Sequence, residues 1–502
     1  MSRSAIEEGA RSFLNPSTED ERAVVGAVRK ELLIAGRWRP ATGGRQLPVY
    51  DPSTGEVLCR VADAGPADAL AALDAAAAAQ ASWASCPPRE RSEILRRAFE
   101  QLIARADELA LLMTLEMGKP LAESKAEIVY AAEFLRWFSE EAVRIDGRYA
   151  VAPNGQGRLM VMKQPVGPCL LITPWNFPMA MGTRKIGPAI AAGCTMVVKP
   201  ARETPLSMLA LAEILSDSGL PDGVLNVITT SAAGAATAPL ITDPRLRKMS
   251  FTGSTEVGRT LIAQSAQQVL RVSMELGGNA PFIVFDDADL DAAVEGAMIA
   301  KMRNIGEACT AANRFLVAES VAADFAQRLA ERMSALKVGR GTEPGVQVGP
   351  LITAKARDNM GAFVADAAQR GGRVLAGGNA LEESGYYFQP TVIADVDPGA
   401  RVFTDEIFGP IAPIASFSTE QEALAIANST QYGLAAYVYT SDMRRSFRVV
   451  EGLEFGMVGL NQGIVSNPAA PFGGMKQSGV GREGGREGIE EYLETKYVAA
   501  NV

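Results

Sequence analysis

The chain has 502 residues, too many for one compact hydrophobic core, so two or three domains are expected. Hydrophobic residues make up 47% of it and charged residues 21%, which is typical of a soluble globular protein. The net charge of −9 argues against nucleic acid or an anionic membrane as the main partner, because both attract basic surfaces.

The chain contains no histidine and five scattered cysteines. Without histidine there can be no Ser-His-Asp triad, no Cys-His dyad and no histidine metal ligand. The cysteines form no C-x-x-C pair, so we expect neither a disulfide framework nor a metal site. Proton transfer must use carboxylates, lysine, tyrosine, water or a cofactor.

From the sequence we expect neither a secretory signal nor a membrane span. Residues 1–30 mix both charges and lack the apolar core of a secretory signal. The most apolar tract, 67–84, is rich in alanine and interrupted by Asp68 and Asp74, which favours a surface or packed helix over a membrane span. These features predict a cytoplasmic protein with no membrane partner.

Two long regions alternate between short apolar runs and helical patterns. The alternation over 169–289 predicts a parallel sheet covered by helices, and a second alternating region continues to about 461. Residues 147–165 resemble a hairpin that turns at PNGQG, and the tail from 488 ends in a strand-like run. From the residues alone, these last two pieces either pair with another subunit or form surface structure.

Two motifs follow predicted strand ends, where ligand sites gather in open α/β sheets. In TPWNFP (173–178) the stiff turn fixes the Asn176 amide, which can stabilise an oxyanion or simply close an Asx turn. In VVKPARETP (197–205) Lys199 can reach a ribose or phosphate and Arg202 can clamp a phosphate, although for KPAR taken in isolation a solvated basic loop is favoured.

Two further motifs combine strand ends with glycine. In SFTGSTEVG (250–258) the helix start suits a phosphate, while the simpler interpretation is a tight turn at Gly253. In SMELGG (273–278) Glu275 lies in an apolar run, so it is either a general base with a raised pKa or a salt-bridged glutamate. The literal G-x-G-x-x-G at 479–484 has no leading strand and is rejected as a dinucleotide fingerprint.

Cys309 lies in RNIGEACTAANR (303–314), after a predicted helix. An exposed turn near backbone N–H groups would lower the pKa of its thiol and make it a nucleophile. An inert buried cysteine is the alternative.

Seven motifs taken together resemble those of the aldehyde dehydrogenase superfamily, in the same order and from about Leu33 to the C-terminus. They are TPWNFP, KPA, FTGSTEVG, MELGG, RNxGxxC, EIFGP and PFGGMKQSGVGREGG. The resemblance implies an α/β fold with a Rossmann-like cofactor domain, an α/β catalytic domain and a small β oligomerisation domain.

The family architecture implies domain boundaries in this chain. The cofactor-binding domain would comprise 1–146 and 165–276, and the catalytic domain 277–482. The oligomerisation domain would comprise 147–164 and 483–502, and it implies a homodimer or homotetramer.

The resemblance also implies the chemistry. Cys309 attacks the aldehyde carbonyl, the Asn176 side chain and the Cys309 N–H hold the oxyanion, and the hydride passes to a nicotinamide cofactor. Glu275 then activates the water that releases the acid, so neither histidine nor metal is needed. The implied cofactor contacts are Trp175, Lys199, Arg202, Gly253, Ser254, Leu276 and Glu406.

The finer resemblance is to succinate-semialdehyde dehydrogenases, which hold the distal carboxylate of the substrate with arginines and a serine. Arg184, Arg303 and Ser466 occupy the corresponding positions, and arginine suits bidentate carboxylate recognition. The alternative is that the arginines bridge to protein carboxylates. Another ω-semialdehyde such as glutarate semialdehyde, or general aliphatic aldehydes, are further candidate substrates. A non-enzymatic relative is disfavoured by the intact Cys309, Glu275 and Asn176.

Three positions depart from the family pattern. Glu307 replaces the usual glutamine, where it would either raise the thiol pKa or pair with an arginine. Arg202 stands where NAD-preferring members carry glutamate, so we expect NADP to be preferred and NAD to remain possible, although Glu203 opposes this preference. Ala311 replaces a second cysteine of some relatives, so a redox disulfide there is not expected.

Overall fold

The computed structural model describes residues 15–381 and 384–501. In chain order the strands are β1 Leu32–Ile34, β2 Arg37–Arg39, β3 Gln46–Asp51, β4 Glu56–Ala62, β5 Arg148–Val151, β6 Arg158–Pro165, β7 Cys169–Ile172, β8 Met196–Lys199, β9 Leu225–Val227, β10 Lys248–Thr252, β11 Arg271–Glu275, β12 Ala280–Val284, β13 Ala312–Ala318, β14 Arg373–Ala376, β15 Thr391–Ala394, β16 Ile411–Phe417, β17 Ala435–Tyr439, β18 Met457–Leu460, β19 Gly479–Val480 and β20 Leu493–Ala500.

The α-helices are α1 Thr18–Ala27, α2 Pro66–Ala84, α3 Pro88–Ala104, α4 Ala106–Met117, α5 Leu121–Glu141, α6 Ala180–Ala192, α7 Pro205–Asp217, α8 Ala233–Ile241, α9 Thr255–Ser265, α10 Leu290–Met302, α11 Glu319–Ser334, α12 Ala354–Gln369, α13 Arg401–Thr404, α14 Glu420–Asn428, α15 Met443–Gly452 and α16 Glu487–Glu490. Short 3-10 turns span Thr42–Gly44, Ala266–Gln268, Arg303–Gly306 and Lys476–Ser478. None of the helices within the described residues is long and apolar enough to cross a membrane.

The first large sheet has eight strands in the order β19-β11-β10-β7-β8-β9-β1-β2. Its central strands, from β11 to β9, are parallel, and antiparallel strands flank them at both ends. Every residue of β7, β8 and β10 is buried, as expected for parallel strands covered on both faces. The parallel sheet predicted for this region is confirmed.

The second sheet has seven strands in the order β14-β15-β16-β13-β12-β17-β18, and only the β14–β15 pair is antiparallel. Its core includes Phe282, whose ring packs against those of Phe315 and Tyr439. The sequence alternation placed β12 with the first region, which is wrong. Alternation identifies a strand but not its sheet, and β12 pairs with the later strands β13 and β17.

A third, three-stranded sheet has the order β20-β6-β5. The predicted hairpin is confirmed, since β5 and β6 are antiparallel and the turn contains Gly155 and Gly157 at positive φ. The C-terminal strand β20 pairs along the whole of β6. Apolar side chains of this small sheet, including Tyr149 and Tyr497, remain exposed in the single chain.

Near its C-terminus the chain crosses from the second sheet back to the first sheet. Gly479 and Val480 form β19, which pairs with Met274 and Glu275 at the end of β11. The Leu276 N–H also donates to the Ser478 carbonyl at 2.9 Å. This crossing holds the PFGGMKQSGVG segment against the strand that carries Glu275.

Candidate active site

Several of the predicted site residues lie together at the carboxyl ends of β7, β10 and β11. Each strand runs directly into one of the motifs, and Cys309 is brought to the same place by a turn before β13 in the second unit. A cleft of about 220 Å³ lies between them. The predicted residues that line it are Trp175, Asn176, Gly253, Ser254, Leu276, Cys309 and Glu406.

A larger groove of about 1150 Å³ adjoins this cleft, because Trp175 lines both cavities. Arg202 and Glu203 line the groove on one side, and Thr353 and Lys355 also line it. The Arg202 side chain is 64% exposed and its Nε lies 2.9 Å from a Glu203 carboxylate oxygen. The arginine is therefore at the surface of the groove, partly neutralised by its neighbour.

Glycine allows the two units to touch beside the nucleophile. A Cβ on Gly278 would stand 2.1 Å from the Cys309 carbonyl oxygen, so only glycine fits there. The expectation that the glycines of MELGG admit another backbone is confirmed at this position.

Burial governs the Cys309 thiol, which is half-buried in the cleft. Desolvation raises its pKa to about 12, while the positive charges of Arg184 and Arg303 oppose the rise and the carboxyls of Glu406 and Glu275 add to it. The expectation of a lowered thiol pKa is wrong. The pKa rises because the loss of solvation on burial outweighs the attraction of the nearby arginine cations.

Asn176 is held by hydrogen bonds on both its side chain and its backbone. Its Nδ2 donates to the Glu307 carbonyl at 2.9 Å, and its own carbonyl accepts from Lys119 Nζ at 2.8 Å and Asn304 Nδ2 at 3.0 Å. A side-chain amide nitrogen carries two hydrogens, so one remains for a ligand in the cleft.

A buried ion pair fixes the TPWNFP turn. Lys119 Nζ contacts Glu127 Oε2, and the other Glu127 oxygen accepts from the N–H groups of Met179 and Ala180 at the start of α6. The Lys119 ammonium also lies 4.1 Å from the centre of the Phe177 ring. We did not predict Lys119 or Glu127 from the sequence, because LEMGKP shows no local pattern that links it to the distant turn.

Glu275 ends β11 as a buried carboxyl with 2% exposure, and neither of its side-chain oxygens has a hydrogen-bond partner within the described residues. Desolvation raises its pKa well above the usual value, the Glu483 charge adds to the rise, and Arg184 and Lys185 oppose it. The raised pKa was predicted, and the salt-bridged alternative is not observed. Glu275 lies beside the cleft rather than in its lining.

Arg184 belongs to a buried cluster with Lys185 and Glu483. Its Nε lies 2.7 Å from one Glu483 oxygen, and Lys185 Nζ contacts the other. The guanidinium lies 4.0 Å from the centre of the Phe472 ring, and its Nη2 is buried with no partner among the described residues. Arg184 therefore forms a salt bridge to a protein carboxylate, which was the alternative interpretation of the sequence. Its Nη2 nevertheless has no partner among the described residues.

Arg303 and Ser466 differ from Arg184 in their surroundings. The Arg303 guanidinium lies 4.7 Å from the Phe177 ring and 5.7 Å from the Tyr130 ring, and within the described chain it makes no salt bridge. Ser466 is half-buried in the loop that follows β18. The sequence analysis did not pair these rings with the arginines, because Tyr130 on α5, Phe177 and Phe472 are far apart in the chain.

Lys199 and Glu406 were both expected to contact the cofactor, but only Glu406 lines the cleft. One Glu406 oxygen accepts from the Gly278 N–H at 2.9 Å, and burial raises the pKa of this carboxyl to about 7. Lys199 ends β8 at 8% exposure, where burial lowers its pKa to about 8. It lines neither of the two cavities.

Glu307 makes no pair with arginine within the described residues. Its Oε1 accepts from the Ile352 N–H at 3.1 Å, and its Oε2 is buried without a partner in the described chain. The carboxyl therefore joins the segment that carries Cys309 to the Ile352 segment of the groove. Ala311 is buried in the same segment.

The sequence matches the model of the aldehyde dehydrogenase family over residues 38–498. It is 60% identical to a succinate-semialdehyde dehydrogenase of Paenarthrobacter nicotinovorans over 88% of this chain and 98% of the relative. It is 52% identical to the NADP(+) succinate-semialdehyde dehydrogenase of Escherichia coli, over 94% and 97% of the two chains. It is 51% identical to a glutarate-semialdehyde dehydrogenase of Pseudomonas aeruginosa, again over 94% and 97%.

Solved structures agree with this match. The crystal structure of an NADP-dependent enzyme of Escherichia coli superposes with a TM-score of 0.94 at 51% identity, covering 95% of this chain and 99% of that one. A betaine aldehyde dehydrogenase of Staphylococcus aureus in complex with NAD+ gives 0.94 at 32% identity, with 97% of each chain covered. The predicted family and fold are confirmed.

We predict that Glu483→Ala strongly destabilises the fold at pH 7. Removing the carboxylate leaves Arg184 and Lys185 as buried uncompensated charges, which costs about 3–5 kcal/mol in comparable pairs. The folded-state pKa of Glu483 is lowered from 4.5 to about 2. Its stabilisation is therefore present above pH 4.5 and is lost as the pH falls through about 2.

Urea unfolding from pH 7 down to pH 3 measures this difference, with the exposed Glu487→Ala as the matched control. The control should unfold like the wild type. Equal unfolding midpoints for the two variants at pH 7 would contradict a stabilising role for the cluster.

Proposed function

The chain belongs to the aldehyde dehydrogenase family, and on that premise we propose that it oxidises succinate semialdehyde to succinate with NADP or NAD. The observation that carries the proposal is the cleft itself, where Cys309 and Asn176 share one cavity and the charges of Arg184 and Arg303 reach the thiol. A thiol nucleophile, an amide donor and two cations suit an aldehyde that bears a distal carboxylate.

In the proposed reaction the Cys309 sulfur attacks the aldehyde carbon and forms a thiohemiacetal. The remaining Asn176 N–H and the Cys309 backbone N–H hold the oxyanion. Loss of a hydride converts this adduct into a thioester. The Asn176 donor is preorganised for this task, because its turn is fixed by Lys119 and its amide already bonds to Glu307.

Glu275 is proposed as the general base that activates water to hydrolyse the thioester. Its raised pKa brings its proton affinity closer to neutral pH, where a base transfers protons efficiently. Arg184 and Lys185 limit the rise in pKa and so favour the ionised, basic form.

The cofactor site is proposed in the adjoining groove and cleft, where the cavities fit an elongated dinucleotide. Bound there, the nicotinamide supplies the hydride acceptor. The buried Glu406 carboxyl lines the inner end, and Gly253 and Ser254 precede the N-terminus of α9, which suits a phosphate. The residues proposed to hold the cofactor are Trp175, Lys199, Arg202, Gly253, Ser254, Leu276 and Glu406.

The carboxylate end of the substrate is proposed to bind Arg184, Arg303 and Ser466. The unpaired Nη2 of Arg184 and the unbridged guanidinium of Arg303 support this, since both groups can still bind an anion. The second candidate is glutarate semialdehyde, which the named Pseudomonas relative supports. General aliphatic aldehydes lack the carboxylate that these arginines recognise.

NADP is proposed as the preferred cofactor because Arg202 lies exposed on the wall of the groove. A guanidinium there attracts the 2′-phosphate, whereas Glu203 weakens the attraction. The Escherichia coli relative is named as NADP-dependent, and the Staphylococcus aureus structure contains NAD+. The first observation supports use of NADP and the second supports use of NAD.

The proposal extends to assembly and location. Residues 1–146 and 165–276 would bind the cofactor, 277–482 would carry the catalytic residues, and 147–164 with 483–502 would join subunits. The exposed Tyr149 and Tyr497 of the small sheet support an interface there, in a homodimer or homotetramer. The cytoplasm is the proposed location.

We predict that succinate semialdehyde has the highest kcat/KM in a panel with glutarate semialdehyde and butanal. Arg303→Gln should lower this value about 10–100-fold for succinate semialdehyde, because a hydrogen bond to a charged group contributes about 1.5–3 kcal/mol. Butanal should be little affected, since it has no carboxylate. Reduced-nicotinamide absorbance measures all three reactions.

The control for this panel is Arg22→Gln, which changes an exposed arginine of α1. No reduction with any aldehyde would refute the proposed activity. An equal loss for butanal in Arg303→Gln would refute carboxylate recognition by this arginine.

We predict that Asn176→Ala lowers kcat by a factor of about 10²–10³, the usual effect of removing one oxyanion donor. Asn304→Ala is the comparison, since Asn304 also donates to the Glu307 carbonyl but does not line the cleft. Steady-state kinetics with saturating cofactor measure both. A similar loss in both variants would assign the effect to the shared hydrogen bonds instead of the oxyanion.

We predict that Arg202→Glu moves the cofactor preference from NADP towards NAD. The substituted carboxylate would repel the 2′-phosphate and could bond the 2′-hydroxyl of NAD, so the ratio of kcat/KM values for NADP and NAD should fall. Arg89→Glu makes the same charge change at an exposed position of α3 and should leave the ratio unchanged. A ratio equal to that of the wild type would remove Arg202 from cofactor selection.

A further inference from the structure

Glu307 is a fully buried acid in the segment that carries Cys309. Its side chain is 0% exposed. One oxygen accepts the Ile352 N–H, and the other has no partner within the described residues. A glutamine side chain could accept the same hydrogen bond through its carbonyl oxygen, and it carries no charge. Glu307 matches glutamine in both respects only when its carboxyl is protonated.

The backbone of Glu307 lies at the point where the two halves of the site meet. Its carbonyl accepts from Asn176 Nδ2 at 2.9 Å and from Asn304 Nδ2 at 3.0 Å. Its side chain anchors the same residue to the Ile352 segment, which lines the large groove. One residue therefore connects the oxyanion donor, the nucleophile segment and the groove wall.

The charged groups around Glu307 only partly compensate an ionised carboxylate. Lys119, from the turn between α4 and α5, is the cation that acts on it, and Lys119 is already paired with Glu127 and close to Glu123 on α5. The Ile352 segment contributes only its backbone N–H. Within its own segment, Arg303 stacks on aromatic rings instead of pairing with the carboxyl.

We propose that Glu307 works as a neutral carboxylic acid that positions the Asn176 amide, and that its ionisation at high pH disables the site. A charge on Glu307 attracts Lys119 away from Glu127 and from the Asn176 carbonyl, both of which Lys119 contacts. The TPWNFP turn then loses the bond that fixes it. This positioning role of Glu307 in the reaction rests on the proposed aldehyde dehydrogenase function.

Burial supports the neutral state. Desolvation raises the pKa of Glu307 well above its usual value, and the Ile352 N–H and Lys119 only partly oppose the rise. A buried acid of this kind stabilises the fold most below its unfolded-state pKa of 4.5, where both states are protonated. That stability is lost as the pH rises from 4.5 through the folded-state pKa.

The kinetic test compares Glu307→Gln with the wild type from pH 6 to pH 10, using succinate semialdehyde and NADP. The kcat ratio of variant to wild type should be near 1 at low pH. It should then grow by up to about tenfold per pH unit above the Glu307 pKa, because only the wild type acquires the charge. Glu307→Ala should be slower at low pH because it loses the bond to Ile352, so rescue by glutamine identifies the hydrogen bond as the requirement.

A ratio that stays constant across the pH range would overturn the proposal. Glu451→Gln, at an exposed end of α15, is the matched control and should give a constant ratio.

Two readouts need no substrate and separate this proposal from the proposed function. The urea midpoint of Glu307→Gln should exceed that of the wild type by an amount that grows from pH 5 to pH 9. Alkylation of the Cys309 peptide by iodoacetamide should become slower in the wild type than in the variant as Glu307 ionises. If the urea midpoints and the alkylation rates change as expected but no aldehyde is oxidised, Glu307 is a neutral acid and the proposed function is refuted. If the urea midpoints of wild type and Glu307→Gln are equal at every pH, the proposal of a neutral Glu307 is overturned.

Discussion

The buried contact between Lys119 and Glu127 is the interaction on which the geometry of the site depends. Lys119 bonds to the Asn176 carbonyl, while Glu127 caps the start of α6 immediately after the turn. Together they fix both sides of TPWNFP without any covalent link. Because a buried ion pair is costly unless its remaining polar groups are bonded, the extra hydrogen bonds to backbone make this arrangement tolerable.

Desolvation then sets the protonation state of the reacting groups. Burial raises the pKa of both Cys309 and Glu275. Arg184 and Arg303 act against this rise at the thiol. In the proposed function the same two cations bind the substrate carboxylate, and a bound anion would then offset part of the positive charge that favours the thiolate.

Much of the fold was accessible from patterns within short segments. The parallel strands of the first sheet, the hairpin at β5 and β6 and the C-terminal strand all follow from apolar runs and turn residues. The placement of β12 was not accessible, because a strand pattern carries no information about its partners. Similarly, the glycines of MELGG indicated a close backbone approach, but only the structure identified the Cys309 carbonyl as what approaches Gly278.

The sequence by itself determined the family, the order of the motifs and the exclusion of every histidine-dependent mechanism, since these depend only on which residues are present and in what order. The tertiary structure alone decided that Lys119 supports Asn176, that Glu483 pairs with Arg184 and that Glu307 faces Ile352. Such contacts join residues far apart in the chain and leave no local pattern. The tertiary structure also decided the sign of the Cys309 pKa shift, because desolvation depends on the surroundings that folding creates and not on neighbours in sequence.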